Sequence, residues 1–519
     1  MAMPSTPTVT SEPESVRDVY GGPLMPPNDR AIFWILFIIS CLYSLASMDR
    51  SSYFLHWDTA SQDMAALDLL KGCWGYDAGK PMIMLLLSLP FRMIGANPII
   101  ETVLLALLAG LSTGWLYIVT RHTFLNRSWA IVATLWFMSW PTTVYYNRIH
   151  LGYALAFVLA GLAAYSKQKY FLQGVVMGIA ILSHPGLIVP ACTWIVVAWF
   201  LSKERSLVPP LTAFLGLGAV LLSLEALRFG YTGDPFGWWK GQLADIRAYT
   251  GAGADQRWSH VPEALWLVNG PVHSVIGLVG LGCFVLTFRA ERSRLSHIAF
   301  FTGILVLMLY TLRTALGISG FNTRLLTGVS PMLAIAVVSG YSGLAERVRW
   351  RIPRLFVGSV AVIVLVVMLS IAFLDAGRVS RTPFPILEEA FIRARSLGVP
   401  VRYFGQPYSA LFFGLKHNVE TLVNGPDLED VPLEDWSSVV AIEAESLYEI
   451  EHVWEDSGKF IVEEYRKVVY PNPAAASRLR TIEEEFFPST ELLWSVAASV
   501  DKQVPVMAIW TPKHPSPAD

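Results

Sequence analysis

Between Ile32 and Leu374 the chain is a succession of apolar stretches separated by short polar loops. Each stretch runs about 16–22 residues, enough to cross a hydrocarbon core about 30 Å thick. Lipid offers no water to an unpaired backbone N–H or C=O, so a spanning segment is either a helix or a strand of a closed barrel. These stretches are too long and too continuously apolar for barrel strands. The chain therefore reads as an α-helical polytopic membrane protein. Composition agrees, with 53% hydrophobic and 15% charged residues among 519 and a mean hydropathy of +0.46. Charge gathers at the N-terminus, in short loops and after Asp375.

The loops that carry clustered basic residues run from Arg121 to Arg127, Lys167 to Lys169, Lys203 to Arg205, Arg289 to Arg294 and Arg347 to Arg354. Basic residues beside short spans are retained in the cytoplasm, so these loops are expected on that side. Working outward from them predicts spans at 31–48, 101–120, 128–145, 151–166, 171–188, 190–202, 207–227, 271–288, 297–314, 325–342 and 355–375. About eleven spans with the N-terminus inside leave the C-terminus outside. Segment 81–95 is apolar too, but Pro90 and Arg92 suit a short interfacial or re-entrant helix. Three regions follow: 1–30 as a disordered cytoplasmic tail, 31–376 as the transmembrane domain, and 377–519 as an extracytoplasmic soluble domain. The tail is rich in Pro, Ser, Thr and Glu and has no basic n-region or cleavage site, so the first span reads as an uncleaved anchor.

Past 377 the pattern changes. Strand-like runs at 401–404, 439–442 and 504–510 alternate with amphipathic stretches such as Ile386 to Leu397, which predicts a small α/β domain. Pro505 is expected at a strand start or on a sheet edge. Cys41, Cys192 and Cys283 fall inside expected spans and only Cys73 in an outer loop, so no disulfide framework is expected. A net charge of −2 gives nothing for a nucleic acid to bind. No phosphate-cradling Gly loop and no His/Cys cluster at metal-ligand spacing is present, so neither a nucleotide cofactor nor a metal is expected. No Asn-X-Ser/Thr sequon lies in the outer regions, which points to a bacterial or archaeal plasma membrane.

Polar groups gather at five places: His56 to Asp63 with Lys71 to Trp74 and Gly79 to Pro81; Tyr145 to His150; Ser183 to Pro185; Thr232 to Pro235 with Trp238, Trp239 and Trp258; and Asn322 to Arg324. In the expected topology all five meet the outer leaflet. An Asp soon after the first span, an Ala-containing helix, Lys71-Gly72-Cys73-Trp74 and Lys80-Pro81 entering an apolar helix resemble the first loop of GT-C superfamily membrane glycosyltransferases. The likeness is to protein O-mannosyltransferases and lipid A aminoarabinose transferases. Tyr146 to Arg148, Gln173 to Ala180, Phe321 to Leu326 and Ser330-Pro331 follow in the same order, so the resemblance covers roughly residues 31–375.

That resemblance implies a GT-C-like fold, a polyprenyl-phosphate-linked sugar donor, a glycan, lipid or protein acceptor, and transfer of a hexose or pentose on the outer face with inversion. An attacking hydroxyl loses its proton to a carboxylate, and Asp58 matches the family's first-loop acid. A phosphate leaving group needs cationic stabilisation, for which Lys80, Arg148 and Arg324 are the candidates. Trp57 stacks on the sugar or holds the lipid, as Trp74, Trp238 and Trp239 could. Two departures stand out. Thr59 replaces the family's Glu, and no acid follows Arg148, where His150 is the substitute candidate.

Plainer readings stand beside these. Asp58 suits an N-cap of the helix that follows it. Lys80 and Arg324 suit snorkelling to lipid head groups. His184 suits a packed interfacial histidine, and Glu225 suits local pairing with Arg228 as well as an intramembrane function. Asp63 and Asp68 are placed on the wet face of their helix, with Asp63 the second choice of base. Competing functions are a transporter or flippase of a lipid-linked sugar, and a relative that has lost catalysis.

Overall fold

A computed structural model describes residues 27–47, 57–74, 80–124, 126–140, 143, 151–202, 205–249, 260–288, 293–316, 324–347, 363, 366–367, 370, 384–404, 407–424, 438–443, 460–471 and 500–512. The helices are α1 (Pro27–Ser47), α2 (Trp57–Leu70), α3 (Pro81–Ile94), α4 (Pro98–Thr123), α5 (Arg127–Ser139), α6 (Leu151–Ser166), α7 (Tyr170–Ser183), α8 (Ile188–Phe200), α9 (Val208–Thr232), α10 (Gly237–Tyr249), α11 (His260–Leu286), α12 (Arg294–Ala315), α13 (Arg324–Thr327) and α14 (Ser330–Arg347). A C-terminal unit adds α15 (Phe384–Leu397), β1 (Val401–Phe404), α16 (Pro407–His417), β2 (Thr421–Asn424), β3 (Val439–Glu443), β4 (Phe460–Pro471) and β5 (Val500–Pro512).

The chain is a multi-pass helical membrane protein. Stretches within α1, α4, α9 and α12 are long and apolar enough to cross a membrane by length and composition, and shorter apolar helices fill in between them. Large hydrophobic side chains line the bundle's exterior, among them Trp34, Ile35, Ile38 and Leu42 on α1 and Leu211, Leu215 and Leu222 on α9. Such a belt is a liability in water and an asset in lipid. On the opposite face of α1, Phe33, Leu36 and Ser40 are buried against α4. The approach there is close because Gly110 and Gly114 present no side chain; a Cβ on either would meet Cys41, Phe37 or Phe33. This is the small-residue crossing through which lipid-embedded helices pack. The hydroxyls inside are satisfied, Thr113 donating to Ser40 Oγ at 2.8 Å and Ser40 to the Ala109 carbonyl at 3.1 Å.

Helix ends follow local chemistry. Pro27 opens α1, its fixed φ and missing N–H suiting a first helical position. Helix α1 thus includes residues 27–30, which the sequence reading placed in the tail, and Asp29 is buried; residues 1–26 lie outside the described residues. Asn97 and Asn126 cap α4 and α5, accepting from the Ile99 and Ser128 N–H groups. A single 3₁₀ turn, Pro185–Leu187, breaks the apolar run between α7 and α8. Segment 81–94 is a short helix, as expected, with Ile83, Met84 and Leu87 inward and Leu89, Met93 and Ile94 outward. By contrast α11 begins at His260, well before the expected 271, and α10 occupies part of what the sequence left as loop. Of the last expected span only residues 363, 366, 367 and 370 are described, all helical.

The basic loops collect at one end of the bundle. Asp29 Oδ1 accepts from Arg127 Nε at 2.8 Å and from the Tyr117 hydroxyl at 3.1 Å, while Arg121 Nε lies 3.3 Å from Oδ2. Arg294 donates to the Ala198 carbonyl and Arg347 to that of Leu286, each at 2.8 Å. This basic end also holds a small cavity of about 30 Å³ beside Tyr165, Tyr170, Trp199 and Arg294.

In the C-terminal unit the sheet order is β2-β1-β3-β5-β4, parallel across β2-β1-β3 and antiparallel across β3-β5-β4. Helix α16 makes the crossover that a parallel β1–β2 pair needs. All three expected strand runs form, joined by β2 and β4. Pro505 is not on an edge strand, because β5 lies between β3 and β4. It is tolerated because β3 pairs β5 only from Met507 to Trp510, and the β4 register is irregular between Arg466 and Lys467, opposite Pro505.

Candidate functional site

The described residues of four segments singled out from the sequence lie at the end of the bundle opposite the basic loops; Tyr145 to His150 lie outside the described residues. Helix α2 packs on α3 and on α16 of the C-terminal unit. The Trp74 ring lies 5.8 Å from that of Tyr231, which ties the first loop to the end of α9. The Tyr310 hydroxyl reaches the Gly186 carbonyl at 3.5 Å, and a Cβ on Gly186 would meet Leu325, so the 3₁₀ turn adjoins α13. Thr143 donates to Ser330 Oγ at 3.5 Å, and α13 packs on α6. One continuous surface therefore carries the first loop, the turn after α7, the end of α9 and the start of α13.

Trp57 and Asp58 form the first turn of α2, and Arg324 opens α13; their side chains lie outside the described residues, as do Arg148 and His150 entirely. Lys80 precedes Pro81 as the half-buried residue capping α3. The backbone thus brings Asp58, Lys80 and Arg324 to the same end.

Glu225 is explained locally. Its Oε1 accepts from the backbone N–H groups of Trp238 and Trp239 at 3.1 and 3.4 Å, capping the start of α10, and Arg228 lies 4.0 Å from Oε2. Arg228 donates to the Asp234 carbonyl at 3.0 Å, and Lys240 to Asp234 Oδ1 at 2.6 Å. His184 closes α7 in an extended conformation before Pro185.

The largest departure from the sequence reading is Asp63. It is completely buried, not on a wet face, and it hydrogen-bonds the carboxyl of Glu101, itself 3% exposed. Glu101 also accepts from the buried Tyr153 hydroxyl at 3.5 Å. Two carboxyls can hydrogen-bond only with a proton between them. Burial pushes the Asp63 carboxyl well above the usual carboxylate range, against the opposing influence of Glu101's hydrogen bond and of Lys416. Lys416 is itself engaged, its Nζ 2.6 Å from Glu388 Oε1, an oxygen that His417 Nε2 also approaches at 3.0 Å. Sequence reasoning missed Glu101 and Tyr153. The signal available was an acid in the first turn of an apolar helix and a Tyr in the first turn of another.

Among the described residues no three His, Cys, Asp or Glu side chains gather as a metal site would require. No family model and no curated protein matches this sequence. The fold, however, is similar to that of ArnT from Cupriavidus metallidurans, whose crystal structure holds undecaprenyl phosphate. The likeness spans 93% of this chain and 99% of that one at 11% sequence identity, with a TM-score of 0.53.

Proposed function

We propose that this protein is a GT-C-type glycosyltransferase that moves a sugar from a polyprenyl-phosphate carrier to a glycan, lipid or protein acceptor on the extracytoplasmic face of the plasma membrane. The observation that carries the reading is likeness over nearly the whole of a structure that holds undecaprenyl phosphate. The order and placement of Asp58, Lys80 and Arg324 on one end of the bundle supports it. Transfer needs few parts. The acceptor hydroxyl gives its proton to Asp58 as its oxygen bonds the anomeric carbon. The bond to the phosphate oxygen breaks on the opposite face, and polyprenyl phosphate leaves with the electron pair. Lys80, Arg148 and Arg324 balance the charge on that phosphate, and Trp57 holds the sugar or the isoprenoid. His150 is the substitute for the second acid that the resemblance to GT-C enzymes implies. The C-terminal α/β unit, docked on α2, faces the acceptor side.

The test supplies radiolabelled polyprenyl-phosphate sugars and a membrane glycan extract to purified wild type and Asp58→Asn. The wild type transfers sugar, and the variant loses about 10²–10⁴-fold in rate, the usual worth of a positioned base, while still binding donor. Transfer that survives in Asp58→Asn removes that residue as the base. Tight lipid binding with no transfer from any donor favours a transporter, a flippase or a non-catalytic relative.

A further inference from the structure

We propose that Asp63 and Glu101 form a proton-sharing latch that positions the helix carrying Trp57 and Asp58, which makes Glu101 a positioning residue. This inference rests on the role proposed above for Asp58. The latch itself rests on the joint burial of Asp63 and Glu101 and on the Tyr153 hydroxyl 3.5 Å from Glu101.

Helix α2 is held from three directions. Ala65 and Ala66 are buried with Ile83, Met84 and Leu87 of α3 on one side and with Phe412 and Phe413 of α16 on another. The third hold is polar, Asp63 against Glu101 in the first turn of α4, backed by Tyr153 in the first turn of α6. Alanine faces slide readily, because small side chains interlock little. A buried hydrogen bond between two carboxyls fixes both azimuth and height, and Asp58 lies five residues away, about 7.5 Å along the same helix axis.

The charged and titratable groups near the pair do not offer an alternative. From α16 come Lys416 and His417, both drawn to Glu388 of α15; from α4 comes Glu101 and from α6 Tyr153. The remaining ionisable residues of α2 and its C-terminal turn are Asp58 in its first turn, Asp68, which is not buried, and the exposed Lys71 and Cys73; the only one on α3 is the exposed Arg92. Among the described residues, no N–H and no hydroxyl donates to either Asp63 oxygen. Removing the shared proton would leave two facing anions with only the Tyr153 hydroxyl on Glu101 to spread their charge, so the latch opens on deprotonation.

The sign of the pH effect follows. Each unfolded carboxyl titrates near about pH 4, and the folded Asp63 carboxyl well above its ordinary value. The latch therefore contributes fully below about pH 4 and is lost as pH rises through the folded pair's own titration.

The experiment compares full-length wild type, Asp63→Asn/Glu101→Gln and Glu101→Ala in nanodiscs. Asn and Gln keep a hydrogen bond between the two sites with nothing to titrate. The thermal midpoint of the wild type should fall between pH 5 and 9, while that of the double variant stays level. Glu101→Ala should lose its stability advantage at pH 5 and lower kcat about 10–100-fold with the donor KM unchanged, the signature of a misplaced catalytic group. The double variant should regain most of that kcat and keep it at alkaline pH. Parallel decline of wild type and double variant with pH overturns the latch, and so does a Glu101→Ala enzyme with wild-type kcat. Should wild type transfer no sugar, the proposed function fails while the thermal comparison still decides the latch.

Discussion

At the basic end of the bundle Asp29 sits between two arginines and a tyrosine hydroxyl; at the other end Asp63 faces Glu101, with no cation in direct contact among the described residues. Both acids are almost wholly buried, at 2% and 0% exposure. One is compensated by charge, the other by a proton. A charge-compensated acid works as a permanent staple, since Arg does not deprotonate in the accessible range. A proton-compensated acid answers to its surroundings. The difference teaches that the basic end is built to stay put, whereas the end proposed to bind substrate holds its first loop by a contact that can be released.

The sharpest way to break this comparison is at Asp29. Asp29→Ala removes the acid and leaves two arginines, which are 30% and 42% exposed and so partly screened by solvent. The expected loss is about 1–3 kcal/mol, below that for a fully buried pair. It should be read as a lower thermal midpoint that does not vary between pH 5 and 9. A pH-dependent loss there would erase the contrast between the two ends.

A smaller effect is expected at Glu225, which caps α10 through two backbone N–H groups. Glu225→Ala should cost about 1 kcal/mol, the usual worth of a helix cap. Faster amide hydrogen exchange confined to α10 would show it, and exchange spread over the whole bundle would instead make Glu225 a keystone of that end. The smallest effect belongs to Lys240→Ala. Its partner Asp234 is solvent-exposed, with a carboxyl held below the usual range by the hydrogen bond from Lys240. No measurable shift in the midpoint is expected, and a clear one would mean that the loop after α9 is more tightly built than its exposure implies.

Much of the fold was legible because apolar length and Pro-marked ends are local signals. Helix α6 occupies the expected 151–166, α3 is the short helix that Pro90 and Arg92 suggested, and strands β1 and β3 fall on their hydrophobic runs. The start of α11 at His260 escaped because its first turns, with His260 and Glu263, are too polar to read as a span. Strand β2 is four residues and β4 is dense in Glu, Arg and Lys, so neither carries an apolar alternation. At the site, the described parts of the first loop, the turn after α7, the end of α9 and the start of α13 pack at one end, while Tyr145 to His150 lie outside the described residues. Asp63 was misread for a physical reason. An acid on an amphipathic helix reads as wet, and what buries it here is a unit more than 300 residues later in the chain together with a second acid.

The 3₁₀ turn at Pro185 has one more consequence. Helix α7 has 14 residues and α8 has 13, on either side of that turn. Each rises about 20 Å, some 10 Å short of a bilayer's hydrocarbon core of about 30 Å. Where their few exposed side chains, such as Phe171, Leu172 and Phe200, meet lipid, a helix this short is matched by local thinning of the bilayer or by flanking side chains reaching to the interface.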